Sequence, residues 1–219
     1  MPSDEPLTDK ATVKGKRGLY ISTTDWDSAI EAWIKAASRL ITDGLGRELH
    51  RVDGETEKLG SRGGRRLYLR DRLPVHAVTS VEYDGDTVDA GDYYLEAESE
   101  GELVHDGGGW RDTSDRAGMF GSRQDPRPPE KLYKVTYDGG FVTPVQAPFG
   151  SNNLSRDLPH DVEQAVIDYC VMQYRQAGND KTVGREKFAG QSMTYEKVNG
   201  RRVPASVADV IDRLRKPAV

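Results

Sequence analysis

The stretch from Leu132 to Tyr174 constrains the fold more than any other part of this chain. It opens with Leu132-Tyr133-Lys134-Val135-Thr136-Tyr137, where apolar and polar residues alternate as in a half-buried strand. Asp138-Gly139-Gly140 breaks the pattern, because two glycines supply backbone angles that β-branched residues resist. A polar, proline-bearing connection follows. Leu158-Pro159-His160-Asp161-Val162 then reads as a helix start, since proline's missing N–H costs nothing in a first turn. Val162, Ala165, Val166, Tyr169, Cys170 and Met172 or Gln173 recur at helical spacing over about 159–176. A strand, a glycine break and a proline-started helix form one packing unit, and no catalytic centre is legible in it.

A chain of 219 residues fits one domain, or one domain with an insertion, and can bury a sizeable core. Apolar residues make up 36% and charged residues 31%, which is lean for an isolated globule and favours extended arms or solvated loops. The net charge of −5 argues against a dedicated nucleic-acid binder with a strong basic face. Cys170 is the single cysteine, so no intrachain disulfide can form, and its place in the apolar stripe reads as core filler. No apolar run approaches the ~18 residues of a membrane span. The start, Met1-Pro2-Ser3-Asp4-Glu5, lacks the pattern of a secretory leader, so the cytosol is the expected compartment of synthesis.

Residues 1–18 are polar and aperiodic, and read as a flexible arm or as an arm that orders against a neighbour. A helix is expected over about 26–42, capped by Thr24 or Asp25 and ended by Gly44 and Gly46. Ala29, Ile30, Trp33, Ile34, Ala37, Leu40 and Ile41 form its apolar stripe. The charged stretch from Glu48 to Arg66, with Arg62, Arg65 and Arg66, reads as a solvated loop, or as a basic contact for nucleic acid or an acidic partner.

A β region runs over about 66–140. Short strands are expected at Leu67-Tyr68-Leu69, from Pro74-Val75 to Tyr83, at Asp92-Tyr93-Tyr94-Leu95 and at Glu102-Leu103-Val104, with a tight turn at Asp84-Gly85. Their spacing, about eight to twelve residues, suits an antiparallel sheet. Trp110 is placed to cover one end of it. The loop 105–130 is long enough to be functional or mobile; its apolar pair Met119-Phe120 either docks on a partner or anchors the loop. Residues 178–202 read as an extended or hairpin segment, with a turn at Asn199-Gly200. A last helix, about 204–215, starts at Pro204. Val207, Val210, Ile211 and Leu214 line one side, and Arg213, Arg215 and Lys216 suit its C-terminal end. At roughly three turns it needs a surface, its own core or another subunit.

No chemistry emerges from the motifs. His50, His76, His105 and His160 are scattered and fit no metal-ligand spacing. Asp84, Asp86, Asp89 and Asp92 lack the glycine and distal glutamate of a calcium loop, and read as a solvated turn. No nucleophile elbow or phosphate-cradling loop is present. No enzyme activity, cofactor or metal is expected.

The order of these pieces resembles the head–tail connector, or adaptor, proteins of tailed phages. Leu67-Tyr68-Leu69-Arg70, Pro74-Val75 and Val78-Thr79-Ser80-Val81-Glu82-Tyr83-Asp84-Gly85 resemble their β part, as does Asp92-Tyr93-Tyr94-Leu95. Val135-Thr136-Tyr137-Asp138-Gly139-Gly140-Phe141 is similar to their Tyr-x-x-Gly-aromatic strand, and Leu158-Pro159-His160-Asp161-Val162-Glu163-Gln164-Ala165-Val166 to the helix start that follows it. The resemblance covers about Asp25 to Arg175, with a longer Val142–Asp157 connection and an expanded 105–130 loop. It implies an α+β fold: a small helical bundle with an inserted antiparallel β-sheet region and extended arms, 19–219 being a single adaptor domain. It also implies a structural ring, typically a dodecamer, in the virion neck beneath the portal protein. Such a ring extends the channel for double-stranded DNA, without reading its sequence, and docks a stopper or tail-completion protein. Carried over, portal binding falls to Val207, Val210, Ile211, Leu214, Arg213, Arg215 and Lys216; the tail-side contact is expected separately, on the 105–130 loop at Trp110, Met119 and Phe120. The rival reading is a monomeric β-rich binding module for carbohydrate or protein at the Trp110 loop. An enzyme assembled across loops ranks below both.

Overall fold

Alternation in the 132–137 stretch becomes a central strand whose buried side chains fall on every second residue, Tyr133, Val135, Tyr137 and Gly139. The structure, a computed structural model, describes residues 5–15, 18–113, 132–178, 187–188, 191–192, 195–198 and 201–215. Along the chain the helices are α1 (Lys10–Lys14), α2 (Asp27–Leu45), α3 (His160–Gly178) and α4 (Ala205–Leu214). The strands are β1 (Val52–Leu59), β2 (Arg66–Tyr68), β3 (Val75–Tyr83), β4 (Asp86–Thr87), β5 (Tyr93–Ala97), β6 (Glu102–His105), β7 (Tyr133–Gly139), β8 (Lys187–Phe188), β9 (Gln191–Ser192), β10 (Tyr195–Val198) and β11 (Arg201–Pro204). These elements form two compact units, Met1–His50 with Phe141–Val219, and Arg51–Gly140. Within the expected domain 19–219, the β region is an insertion in the sequence and a body with its own core.

In the helical unit, α2, α3 and α4 enclose one apolar cluster. Helix α3 gives it Val162, Ala165, Val166, Ile167 and Cys170, all buried. Each fully buried Val or Ile contributes roughly 1.5–3 kcal/mol, enough to hold helices that would be marginal alone. The expected start of α2 is corrected. Trp26 occupies the N-cap position with no side-chain cap, and Thr24 contributes only its carbonyl, which accepts from Asp27 N–H at 3.1 Å. Gly46, in the left-handed conformation at φ 69°, ends the helix as expected. Gly44 does not end it. It lies inside α2, where a Cβ would sit 2.7 Å from Ile211 Cδ1, so its missing side chain admits the Ile211 side chain of α4.

The expected flexible arm is also corrected over residues 5–15. Asp9 caps α1, its Oδ1 accepting from Thr12 N–H at 2.7 Å, while Leu7 and Val13 are buried in the helical core. The hairpin expected near Asn199-Gly200 is present as β10 paired antiparallel with β11, from Tyr195↔Pro204 to Val198↔Arg201; the turn residues themselves lie outside the described residues.

The β unit has a four-stranded sheet, ordered β1-β7-β3-β4, and a three-stranded sheet, ordered β2-β6-β5. All pairs are antiparallel, as the strand spacing implied. Asp84 and Gly85 both take positive φ, 56° and 89°, the geometry of a tight hairpin turn. The charged stretch expected as a loop from Glu48 to Arg66 instead contains β1. It reads as polar because it is an edge strand with one face in water. Its buried residue is Glu57, whose carboxylate accepts from the N–H groups of Arg70 and Asp71 and from Tyr137 Oη at 3.1 Å. Burial raises the pKa of both Glu57 and Tyr137, and the adjoining Glu57 carboxylate raises that of Tyr137 further.

Candidate functional site

The residues expected to bind a portal are mostly committed within the subunit. Val207, Val210 and Ile211 are 0%, 3% and 2% exposed and belong to the helical core, so the docking expectation is corrected for these three. Leu214 is partly buried against the same cluster. An apolar stripe on a short helix has the same sequence signature whichever surface it covers. Here that surface is α2 and α3.

The charged end of α4 is tied down as well. Arg47, just past α2, donates from Nη2 to Leu214 O at 3.0 Å. Arg215, just past α4, donates from Nη2 to Gly44 O at 2.7 Å. Each arginine thus satisfies a carbonyl at the C-terminal end of the other helix, where the helix dipole favours positive charge. Burial lowers the Arg47 pKa from its ordinary value. Arg213 pairs with Asp161 at the start of α3, and Ser206 Oγ donates to Asp168 Oδ2 at 2.7 Å. What α4 shows to solvent is Asp209, Asp212, Arg213 and Arg215. Lys216 lies outside the described residues.

The N-terminal segment meets the helical bundle through a polar latch that the sequence reading missed. Glu163 on α3 is 1% exposed; its Oε1 accepts from Thr8 Oγ1 at 3.1 Å and its Oε2 from Arg156 Nη2 at 2.8 Å. Leu7 N–H donates to Ser38 Oγ at 3.0 Å, and Lys10 and Lys14 both pair with Asp27. The available signal was Leu7, Asp9 and Val13, a cap between two apolar residues.

On the β unit, Trp110 is 1% exposed and sits in the core, so its ring is not offered at the surface as a tail-side contact. It packs edge-on to Tyr133 and His105, both with centroids at 5.2 Å. Next to it is a cleft of about 390 Å³ whose lining includes Tyr83, Asp86, Asp89, Asp92, Trp110 and Arg111. Arg111 places its guanidinium 5.6 Å from the Tyr83 ring centroid, and its backbone N–H donates to Tyr133 Oη at 2.6 Å. Met119 and Phe120 lie outside the described residues.

The Cys170 thiol is buried and pushed up to about 12 by desolvation, far from nucleophilic thiolate character. Among the described residues no group of three or more His, Cys, Asp or Glu could hold a metal ion, and no helix is long and apolar enough to cross a membrane.

Solved structures with the same fold come from gene transfer agent particles. The chain is similar to a subunit in the neck of an empty particle computed with C6 symmetry, at 19% identity and TM-score 0.53, covering 95% of this chain and 89% of that one. It is similar to a subunit in the neck of a native particle computed with C12 symmetry, at 18% identity and TM-score 0.50, covering 88% and 84%. A subunit of the native particle's virion matches at 18% identity and TM-score 0.50, covering 95% and 89%. No curated protein matches the chain. A match to the head completion protein family spans residues 14–217, both units and nearly the whole sequence, and the chain belongs to that family.

Proposed function

We propose that this head completion protein is a structural subunit of a phage-like neck, one copy of a ring between the portal and the tail. The family match over residues 14–217 carries the reading. The fold shared with neck subunits of gene transfer agent particles supports it, and the C6 and C12 symmetries of those necks both accommodate a ring of twelve. The ring extends the DNA channel and presents its far side to a stopper or tail-completion protein. An acidic chain suits that task. Duplex DNA carries about one charge per 1.7 Å, and a strongly basic lining would hold a genome that has to slide.

Portal engagement by the C-terminal segment takes a changed form in this reading. The apolar side of α4 is occupied internally, so contact falls to its outer side, Asp209, Asp212 and Arg213, and to the basic end Arg215-Lys216. The test is reconstitution. DNA-filled heads bearing portals but lacking this protein, incubated with the purified chain, are expected to acquire a twelve-fold collar at one vertex and to become competent for tails. Heads that gain no collar, or that join tails equally well without the chain, overturn the reading.

A further inference from the structure

We propose that the cleft beside Trp110 is a docking site for an extended, basic segment of a partner protein. Three observations in the β unit converge on that occupant. Between Glu82 and Asp106 the chain has ten Asp and Glu residues and no Lys or Arg. Three of these acids, Asp86, Asp89 and Asp92, are exposed on the cleft lining, and none has a cationic partner among the described residues. Asp89 is held in place, since its Oδ1 accepts from Gly91 N–H at 2.8 Å. The cleft therefore has a fixed, uncompensated negative side.

The second observation is a donor with no acceptor. Trp110 Nε1 is buried, lies in a residue that lines the same cleft, and has no hydrogen-bond partner among the described residues. Buried indole N–H groups are normally satisfied, and one left open beside a cleft points to an acceptor that arrives from outside. The third is Arg111, which sets a positive charge against the Tyr83 ring on the lining. The site thus asks for a cation toward the three aspartates and an oxygen acceptor toward Trp110 and Arg111.

A peptide carrying Lys or Arg supplies both, the cation from its side chain and the acceptor from its backbone carbonyls. A metal ion offers no acceptor, and nucleic acid brings phosphates to three carboxylates. The volume, about 390 Å³, is at the small end of ligand clefts (~300–1,000 Å³), room for one long side chain with its adjoining peptide groups. Because Trp110 is 1% exposed, it forms the floor. A segment must seat fully before a carbonyl reaches the indole, which makes that N–H a reporter of correct docking. The proposal stands apart from the neck reading and is tested on the isolated chain.

The experiment is a titration of the full-length, nitrogen-15-labelled protein, followed through the indole N–H signals of its 3 tryptophans. Trp110→Phe identifies the relevant signal; if that variant does not fold, Trp26→Phe and Trp33→Phe identify it by elimination. A capped Gly-Arg-Gly peptide at low salt is expected to shift the Trp110 signal saturably and leave the other two in place. A capped Gly-Glu-Gly peptide is expected to shift none. D89N/D92N is expected to weaken binding by about tenfold, two rim charge contacts acting together, and raised salt is expected to weaken it similarly. The proposal is overturned by an unmoved Trp110 signal, by equal response to the two peptides, or by unchanged affinity in D89N/D92N. It is equally overturned if calcium or a short DNA duplex shifts the signal in place of the basic peptide.

Discussion

The helical unit and the β unit build their cores from different materials. In the helical unit, aliphatic side chains of α2, α3 and α4 interlock, and polar groups serve to close ends: Arg47 and Arg215 on helix carbonyls, Glu163 on the N-terminal segment. In the β unit, three buried rings, Trp110, Tyr133 and Tyr137, stand among the Leu and Val side chains of the strands, and the buried carboxylate of Glu57 ties an edge strand to the β2–β3 connection. Helices satisfy their own backbone and need only apolar faces and caps. Short strands leave gaps at sheet ends, and large rings with a polar tip fill them while bonding to backbone there, as Tyr133 does with Arg111. A core of small aliphatic side chains is sensitive to volume, whereas one that includes large rings is also sensitive to the loss of a single ring.

Trp110→Ala is expected to have the largest effect, destabilising the β unit by ~3–5 kcal/mol in denaturant unfolding followed by near-ultraviolet circular dichroism. A wild-type midpoint in that variant would break the comparison, because the ring would then not be an anchor. Glu163→Ala removes the acceptor for both Thr8 and Arg156 and is expected to cost the helical unit ~2–3 kcal/mol, since a buried partner is deleted while Arg156 keeps some access to water. Proteolysis near residue 8 is expected to rise in parallel, and unchanged cleavage would show that the latch does not hold the segment.

Trp33 sharpens the contrast. It is only partly buried beside Trp26, so Trp33→Ala is expected to cost ~1–2 kcal/mol, well under the penalty at Trp110. Gly44→Ala tests the volume rule: the new Cβ lands 2.7 Å from Ile211 Cδ1. A loss of ~1 kcal/mol is expected from crowding, net of the better helix propensity of alanine. In an Ile211→Val background, which lacks that Cδ1 atom, the same change is expected to be neutral or stabilising, and an unchanged penalty would refute the close approach.

The smallest effect is a pH dependence confined to the β unit. Burial raises the folded-state pKa of Glu57 above its ordinary value, so the folded state retains this proton at pH values where the unfolded chain has lost it. The β unit is therefore expected to lose stability as pH rises from the ordinary glutamate range through the raised value, and to regain it on acidification. Glu57→Gln is expected to flatten that segment of the profile. A wild-type slope in the variant would assign the dependence to another group.

Legibility in the sequence followed the range of the interactions. The β7 alternation, the Pro159 start of α3, the Pro204 start of α4 and the Asp84-Gly85 turn are dictated within a few residues, and each was readable. The edge strand β1 was not, because its partner β7 lies some eighty residues away and its own side chains are mostly charged. Gly44 looked like a terminator and is a contact point, a role assigned by Ile211 at the far end of the chain. The candidate sites show the same division: the acidic turn around Asp86, Asp89 and Asp92 was visible, but its position beside the open Trp110 N–H was not.

By itself, then, the sequence determined which segments are helix and strand wherever local periodicity and turn chemistry suffice, and the order of those segments carried the likeness to head–tail connectors. Tertiary structure alone decided which of two available surfaces each apolar stripe covers. It turned the stripe of α4 inward, seated residues 5–15 on α2 and α3, and gave the β unit buried rings that the helical core lacks among the described residues. The reason is physical. Hydrophobic burial has no direction, so a stripe specifies only that it must be covered, and the shape and distant neighbours of the folded chain choose the cover.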